Sequence, residues 1–361
     1  MSKSKTIIVG MSGGVDSSVS ALLLKEQGYN VKGLFMQNWQ NEADEECTSE
    51  IDFKDASAVC DLLDIPLHRA NFADEYWDKV FKEFLSEHEK GRTPNPDILC
   101  NREIKFKSFL DYALKIGADL IATGHYANLR EVNNHTHLVR AKDRDKDQTY
   151  FLHEVKEEEF KKCIFPLANL TKPEVREIAI KNNLSIADKK DSVGICFIGE
   201  RNLKDFLNKF ITFKKGPIKD ETGNVIGEHQ GSILYTEGQR QGLHIGGVKG
   251  RDELPWYVYK KDIFNNEISV CQGVNNQLLM NSALWLENIN FINEIDYKFP
   301  LDCSVQIRHQ HTPIDCQVTI DNDGYLITFA ENIRAIAPGQ SAVLYKRDIC
   351  LGGGVIAKTF K

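Results

Sequence analysis

Ile7-Ile8-Val9-Gly10-Met11-Ser12-Gly13-Gly14-Val15-Asp16-Ser17-Ser18 is the stretch on which the fold turns. An apolar run reads as a strand leading directly into a turn of serines and glycines. Val15, Val19, Leu22 and Leu23 then fall at i, i+4, i+7 and i+8, the spacing of one apolar helix face. Strand, small-residue turn and helix in that order bring backbone N–H groups and the positive end of a helix dipole to one point, which suits an anion such as phosphate. The turn lacks the GK[ST] ending of a Walker A loop and is not GxGxxG. The bare Gly-Gly pattern also fits an ordinary tight turn with a serine cap; the whole Ser12–Ser18 string is more specific.

Working outward, strands are expected at Thr6–Gly10, Val31–Gln37, Leu67–Asn71 and Asp119–Thr123. Between them a first helix ends near Gly28, and others fit Phe53–Leu63, Glu75–Glu89 and Glu103–Lys115, with Gly117 as a stop. This alternation predicts an α/β domain with a doubly wound parallel sheet. Such sheets bind ligands beyond the carboxyl ends of their strands. Met36 and Gly124-His125 therefore become candidates, although Met36 alone reads as core and His125 fits a satisfied structural histidine as well as a substrate contact. Beyond about residue 200 the texture changes. Phe213–Gly250 is rich in glycine and lysine with β-like pieces such as Ser232–Tyr235, and Asn281–Lys361 reads as strands broken by turns at Asp323-Gly324 and Pro338-Gly339. Three domains are expected, over 1–210, 211–278 and 279–361, the last all-β and barrel-like.

The 361 residues carry a net charge of −7 and nine cysteines. No apolar run is long enough to span a bilayer, and the N-terminus lacks a signal-peptide pattern, so a cytoplasmic protein is expected. An odd, scattered set of cysteines argues against a disulfide framework, and without a CxxC pair no metal site is expected. The acidic balance argues against nucleic acid, but only as an average over all faces.

Two cysteines stand apart. Pro94-Asn95-Pro96-Asp97-Ile98-Leu99-Cys100-Asn101 is a stiff turn before a helix, with Arg102 and Lys105 close by, a setting that lowers a thiol pKa. Asp191-Ser192-Val193-Gly194-Ile195-Cys196-Phe197-Ile198-Gly199 follows Lys189-Lys190, again electropositive. Cys60, Cys163, Cys271, Cys303, Cys316 and Cys350 read as inert core residues. Lys142–Asp147 alternates in sign, as solvated loops do.

The phosphate loop resembles that of the ATP pyrophosphatase (PP-loop) superfamily. With MSGGVDSSV, GLFMQNW, GRTPNPDILCN, ATGHY, KDQTYFL, KKDSVGICFIGER, GQRQGL, PGQSAV and CLGGG in this order, the chain is similar over nearly its whole length to the bacterial tRNA-specific 2-thiouridylases. That resemblance implies 2-thiolation of the wobble uridine. It puts ATP, with Mg²⁺ expected, on Gly10, Met11, Ser12, Gly13, Gly14, Val15, Asp16, Ser17, Met36 and Gly124. It makes Cys100, Cys196 and Asp97 catalytic, with Cys196 carrying a persulfide and Asn95-Pro96-Asp97 meeting the target base. His125, Lys146, Asp147, Gln148, Arg308, His309 and Gln340 match positions that contact tRNA; at 309 close relatives commonly have Tyr. The implied partners are the tRNA anticodon arm and a sulfur-donor persulfide protein, with neither DNA nor membrane. An amidating ATP pyrophosphatase would need neither cysteine, and a non-catalytic nucleotide-sensing or RNA-binding protein would use them as a redox switch. Local basic groups at Arg102/Lys105/Lys107, Arg140–Lys146 and Lys214/Lys215/Lys219 are expected to form an RNA surface.

Overall fold

The computed structural model describes residues 4–39, 48–191, 203–248 and 250–361. Strands β1 (Thr6–Met11), β2 (Asn30–Gln37), β3 (Leu67–Asn71) and β4 (Leu120–Ala122) pair in parallel in the order β3-β2-β1-β4. The order reverses direction between β1 and β4, which opens a crevice beyond their carboxyl ends. β1 is covered on both faces, as parallel strands are. Ile8 packs into a cluster with Leu34, Met36 and Ile121, while Ile7, Val9 and Met11 alternate into a second cluster with Val31, Phe35 and Ala122. Each fully enclosed side chain of this kind contributes roughly 1.5–3 kcal/mol. Helix α1 (Val15–Glu26) seals the second face with Val15, Val19, Leu22 and Leu24; Leu23 is only half-buried.

The helix expected over Glu103–Lys115 starts a full two turns earlier. It runs unbroken over 96–115, as Pro96–Leu99 in α register, Cys100–Ser108 in π register and Phe109–Lys115 in α register again. Gly117 ends it at φ 94°, with the N–H of Ala118 reaching back to the carbonyl of Ala113 at 3.0 Å.

After β4 the chain forms a hairpin, β5 (Ala127–Val132) and β6 (His135–Arg140), and then adds an edge strand, β7 (Cys163–Ile164), beside β4. A four-stranded sheet follows, with β8 (Gly216–Lys219), β9 (Val225–His229), β10 (Trp256–Asp262) and β11 (Glu267–Gln272) in the order β10-β11-β8-β9. The β-like reading of Ser232–Tyr235 fails: Ser232–Leu234 is a 3₁₀ turn, in which the Ser232 N–H and hydroxyl both bond the Asn266 side chain, at 3.2 and 3.0 Å, and the N–H groups of Leu234 and Tyr235 turn back to the carbonyls of Gly231 and Ser232.

The last seven strands are β12 (Met280–Leu286), β13 (Asn290–Phe291), β14 (Leu301–Gln306), β15 (Ile314–Asp321), β16 (Gly324–Arg334), β17 (Ser341–Lys346) and β18 (Ile349–Phe360). Six of them close into an antiparallel barrel, β12-β16-β15-β14-β17-β18 and back to β12. The barrel does not stand alone. β18 continues into β6, pairing Ile349 with Val139 and Cys350 with Leu138. Buried Glu157 fastens the same joint, bonding the Thr136 N–H at 3.0 Å and Asn293 at 2.9 Å. Among the described residues no helix is long and apolar enough to cross a membrane.

Candidate nucleotide and thiol site

The turn after β1 is held open by its own hydroxyls. Ser17 Oγ donates to the carbonyl of Gly14 at 3.1 Å and accepts from the Ser12 N–H at 3.2 Å; Ser18 Oγ also donates to Gly14, at 2.9 Å. Gly13 has φ +75°, and a Cβ there would stand 2.3 Å from the carbonyl oxygen of Asp52. Only glycine fits. Gly124, at the end of β4, approaches the first turn of α1 so closely that a Cβ would lie 2.8 Å from the Ser17 nitrogen. Its packing against the helix start alone accounts for the glycine. Met36 is buried, with its methyl group against Gly10.

Asp16 heads a charged network that the motif did not reveal. Lys172, 8% exposed, donates to both its oxygens at 2.8 Å, and the Tyr126 hydroxyl donates at 3.0 Å. Lys172 also meets Asp191 at 2.8 Å, which is shared with Arg176 (2.8 Å) and Lys146 (2.7 Å). Burial would raise the Asp191 carboxyl, but the ammonium groups of Lys146 and Lys172 outweigh it and hold the group at about 2. Lys189 reaches the loop itself, bonding the carbonyl of Gly13 at 3.0 Å, Asp52 at 2.8 Å and Asp55 at 2.5 Å. These cations come from about 130 to 176 residues downstream of the loop, so no local pattern could have flagged them.

The thiol end is made by the helix over 96–115. Asn95 caps it by accepting from the Asp97 N–H at 3.0 Å, Pro96 occupies the first helical position, and Asp97 lies in the first turn. Asp97 and Cys100, three apart, lie on one helical face. Cys100 is fully buried, in a cluster with Met36, Phe72, Tyr76 and Val80. Arg102 was expected to activate it. Instead the guanidinium is engaged by Glu154 at 2.6 Å, Glu103 at 2.8 Å and Glu83 at 3.7 Å. Cys196 lies outside the described residues. The chain on either side of it is anchored: Asp191 belongs to the network at the phosphate loop, and Phe206 packs on Trp39 and Phe81 at 5.7 and 5.5 Å in the Cys100 cluster.

The segment before Asn95 is gripped by both of the other regions of the chain. Gln340, from the barrel, donates to the Thr93 carbonyl at 2.6 Å, and Thr236, from the central sheet region, meets the Thr93 hydroxyl at 3.1 Å. Arg308 bridges the carbonyls of Glu237 and Ala335 at 2.8 and 3.0 Å. The His309 ring lies against Phe151, with centroids 4.3 Å apart and planes inclined at 41°, and bonds the Asp147 carbonyl at 3.2 Å. Asp147 is 5% exposed and accepts from Arg140, the Ala141 N–H and Thr149. Gln148 and Tyr126 bond each other twice, at 3.0 and 2.8 Å. His125 is buried against Phe106 and Phe165 and bonds Thr123 at 2.8 Å; burial, with Lys105 nearby, holds its imidazole well below its ordinary pKa. Of the residues matched to tRNA contacts, Lys146 alone keeps a charged head with side-chain exposure above 40%, and it is paired with Asp191. The basic clusters are likewise largely paired: Lys107 with Glu103, Lys142 with Glu174, Arg144 with Asp348, Lys215 with Glu228 and Lys219 with Glu267.

Comparison with known proteins divides the chain into three matched stretches. Residues 5–200 match the family described as tRNA methyl transferase HUP domain, 204–272 its PRC-barrel domain, and 281–356 the aminomethyltransferase β-barrel domain. The tRNA-specific 2-thiouridylase MnmA of Pseudomonas fluorescens (strain Pf0-1) is 55% identical over 98% of this chain and 94% of its own length. The protein of the same name from Pseudomonas savastanoi pv. phaseolicola is 54% identical over 98% and 95%, and that from Stutzerimonas stutzeri 53% identical over 97% and 94%.

Proposed function

This chain belongs to the tRNA-specific 2-thiouridylase family, and from that premise we propose that it replaces the C2 oxygen of the wobble uridine in tRNA with sulfur, at the expense of ATP. The observation that supports this reading best is a juxtaposition. The phosphate loop leaves the carboxyl end of β1, and the helix over 96–115, which feeds β4 from its far end, begins beside the same edge with Asp97 and Cys100 in its opening turns.

A uridine C2 carbonyl is a poor electrophile with a poor leaving group. When bound, ATP supplies an adenylyl group that makes this oxygen part of AMP. Around it the chain's task is positioning and charge compensation. The backbone of Ser12, Gly13 and Gly14 offers N–H groups to the phosphates, supported by the α1 dipole. Among the described residues no three His, Cys, Asp or Glu side chains gather as a metal cage. If magnesium accompanies the nucleotide, Asp16, the loop's carboxylate, would help to hold it, and the ion would supply charge compensation for the phosphates. Asp97 holds the extruded base or carries a proton for it.

Sulfur arrives as a persulfide on Cys196, loaded by a donor protein. Its terminal sulfur attacks C2 and displaces AMP, and Cys100 then attacks the inner sulfur to release the thiolated base; alternatively Cys100 attacks first and frees hydrogen sulfide. Both routes leave a Cys100–Cys196 disulfide, and both require Cys100 to leave its buried place. The division at 210/211 and 278/279 and a cytoplasmic setting, where tRNA and reduced thiols coexist, belong to the same reading. The deciding experiment incubates tRNA with the protein, ATP, Mg²⁺ and a persulfide donor and analyses the wobble nucleoside by mass spectrometry. 2-Thiouridine is expected. Its absence, or wild-type rates in both Cys100→Ser and Cys196→Ser, overturns the proposal.

A further inference from the structure

Six cysteines read from sequence as inert core, and for Cys60, Cys271 and Cys350 burial does push the thiol up, to about 12 and about 11 for the first two. Cys303 and Cys316 differ. They are directly opposed on β14 and β15, with Sγ atoms 3.7 Å apart. Opposed residues of antiparallel strands have Cα atoms about 4.5–5.5 Å apart, inside the roughly 4.4–6.8 Å that a disulfide spans. The sulfurs need only close to about 2.05 Å, which a side-chain rotation supplies. Cys303 is half-exposed and Cys316 buried, so one thiol can meet a solute while the other waits behind it. Both line a surface hollow of about 750 Å³, whose rim carries exposed charges of both signs, Asp302 and Asp315 with Lys346 and Arg347. The hydrogen bond from Cys316 holds the Cys303 thiol below its ordinary value and pushes that of Cys316 up.

We propose that Cys303 and Cys316 form a second thiol–disulfide exchange site, separate from the cysteines assigned above to sulfur transfer, whose co-reactant is a small disulfide of the glutathione type, which itself carries ammonium and carboxylate groups. The Cys303 thiolate attacks one sulfur of the disulfide, whose S–S bond breaks and releases one thiolate. Cys316 gives up its proton and attacks the Cys303 sulfur, expelling the second thiolate. The two protein thiols are oxidised, the small disulfide is reduced to two thiols, and these take up the two protons. The new bond closes the base of a hairpin. Between β14 and β15 the loop over 307–313 presents Arg308 and His309, which touch Glu237, Ala335 and Asp147. Oxidation would tie this loop's stem covalently and leave the Asp97–Cys100 turn unchanged.

The test uses the full-length protein in glutathione buffers of increasing oxidation, with acid quenching, alkylation and peptide mass spectrometry. The expected result is a Cys303–Cys316 peptide lighter by two hydrogens, formed while Cys60 and Cys350 still alkylate only after denaturation. Cys316→Ser is expected to stop at a Cys303–glutathione mixed disulfide, and Cys303→Ser to leave Cys316 unmodified. In the oxidised wild type, hydrogen exchange over 307–313 slows. If the 303–316 link never forms, or forms only together with modification of Cys60 and Cys350, the proposal is overturned.

Discussion

The phosphate loop and the Cys100 helix open on the same side of one sheet, yet they are prepared for chemistry in opposite ways. At the loop, Ser12, Ser17 and Ser18 already bond the turn, and Asp16 is clasped by Lys172 and Tyr126. Cys100 is enclosed by aromatic and aliphatic side chains, with the neighbouring guanidinium committed to carboxylates. A rigid anion site costs no reorganisation when phosphate arrives. A thiol left exposed would be oxidised or alkylated wherever it met an electrophile. The difference teaches that the two ends are prepared differently: on the proposed mechanism the ordered loop would receive the nucleotide without rearrangement, whereas Cys100 would have to be uncovered before it could react.

Cys100→Ala breaks this comparison most sharply. It leaves the loop intact while removing the buried thiol proposed as a nucleophile, so 2-thiouridine formation is expected to fall on the order of 10³-fold or more, as loss of a nucleophile does elsewhere. ATP binding, followed by calorimetry, should be unchanged. A comparable loss of ATP binding would show that the two ends are one cooperative unit. Gly13→Ala attacks the other end. With φ +75° and a Cβ 2.3 Å from the Asp52 carbonyl, the loop must move. ATP affinity is expected to weaken on the order of tenfold or more, since left-handed strain alone costs about 1–2 kcal/mol, and alkylation of Cys100 in the folded protein should stay as slow as in the wild type.

The same contrast explains what sequence could show. β1, its turn and α1 were legible because strand period, glycine and helix period all act within 20 residues. The clasp on Asp16 was not, because Tyr126 and Lys172 lie 110 and 156 residues away. The start of the helix at Pro96 was missed for another reason: the prolines at 94 and 96 read as a stiff turn, and Cys100–Ser108 winds in π register, so buried Ile104 and Phe109 lie five apart, a step that a 3.6-residue template does not join. The basic clusters looked like an RNA surface because their neutralising partners, Glu154 for Arg102 and Asp348 for Arg144, are contributed by remote segments. The Arg144–Asp348 pair is exposed, and such pairs are weak and can yield to phosphates, but each exchange returns a carboxylate to solvent. tRNA affinity is therefore expected to fall less steeply with salt than the count of lysines and arginines suggests.

Acid should loosen the thiol end before the loop's own hydroxyl bonds, which carry no charge. Glu157 joins the β5–β6 hairpin to the barrel. Burial would raise its carboxyl, but bonds from Asn293, His135 and the Thr136 N–H hold it at about 2. A carboxyl depressed in the folded state adds stability that is present above its unfolded pKa of about 4.3 and is lost as pH falls toward the folded value. Between pH 5 and pH 3 the wild type should lose on the order of 1–2 kcal/mol that Glu157→Gln does not lose, read as a smaller pH dependence of urea midpoints in the variant. Equal slopes would mean that the joint does not depend on this carboxylate.

The smallest effect tests whether the thiol end is as poised in its backbone as the loop is. Asn95→Ala removes the cap that accepts from the Asp97 N–H, at a cost of about 0.5–1 kcal/mol, or a few degrees in Tm at most. The cap bonds the backbone of the same residue whose carboxylate is assigned to the base, so fraying there displaces Asp97 without touching Cys100. Thiolation should then slow several-fold with ATP binding intact, and Asn95→Ser, which restores a capping oxygen, should recover most of the rate. Failure of serine to rescue would assign the Asn95 carboxamide to the target base itself, and the two ends would then differ less than they look: each would present preformed polar groups, with only the sulfur kept out of reach.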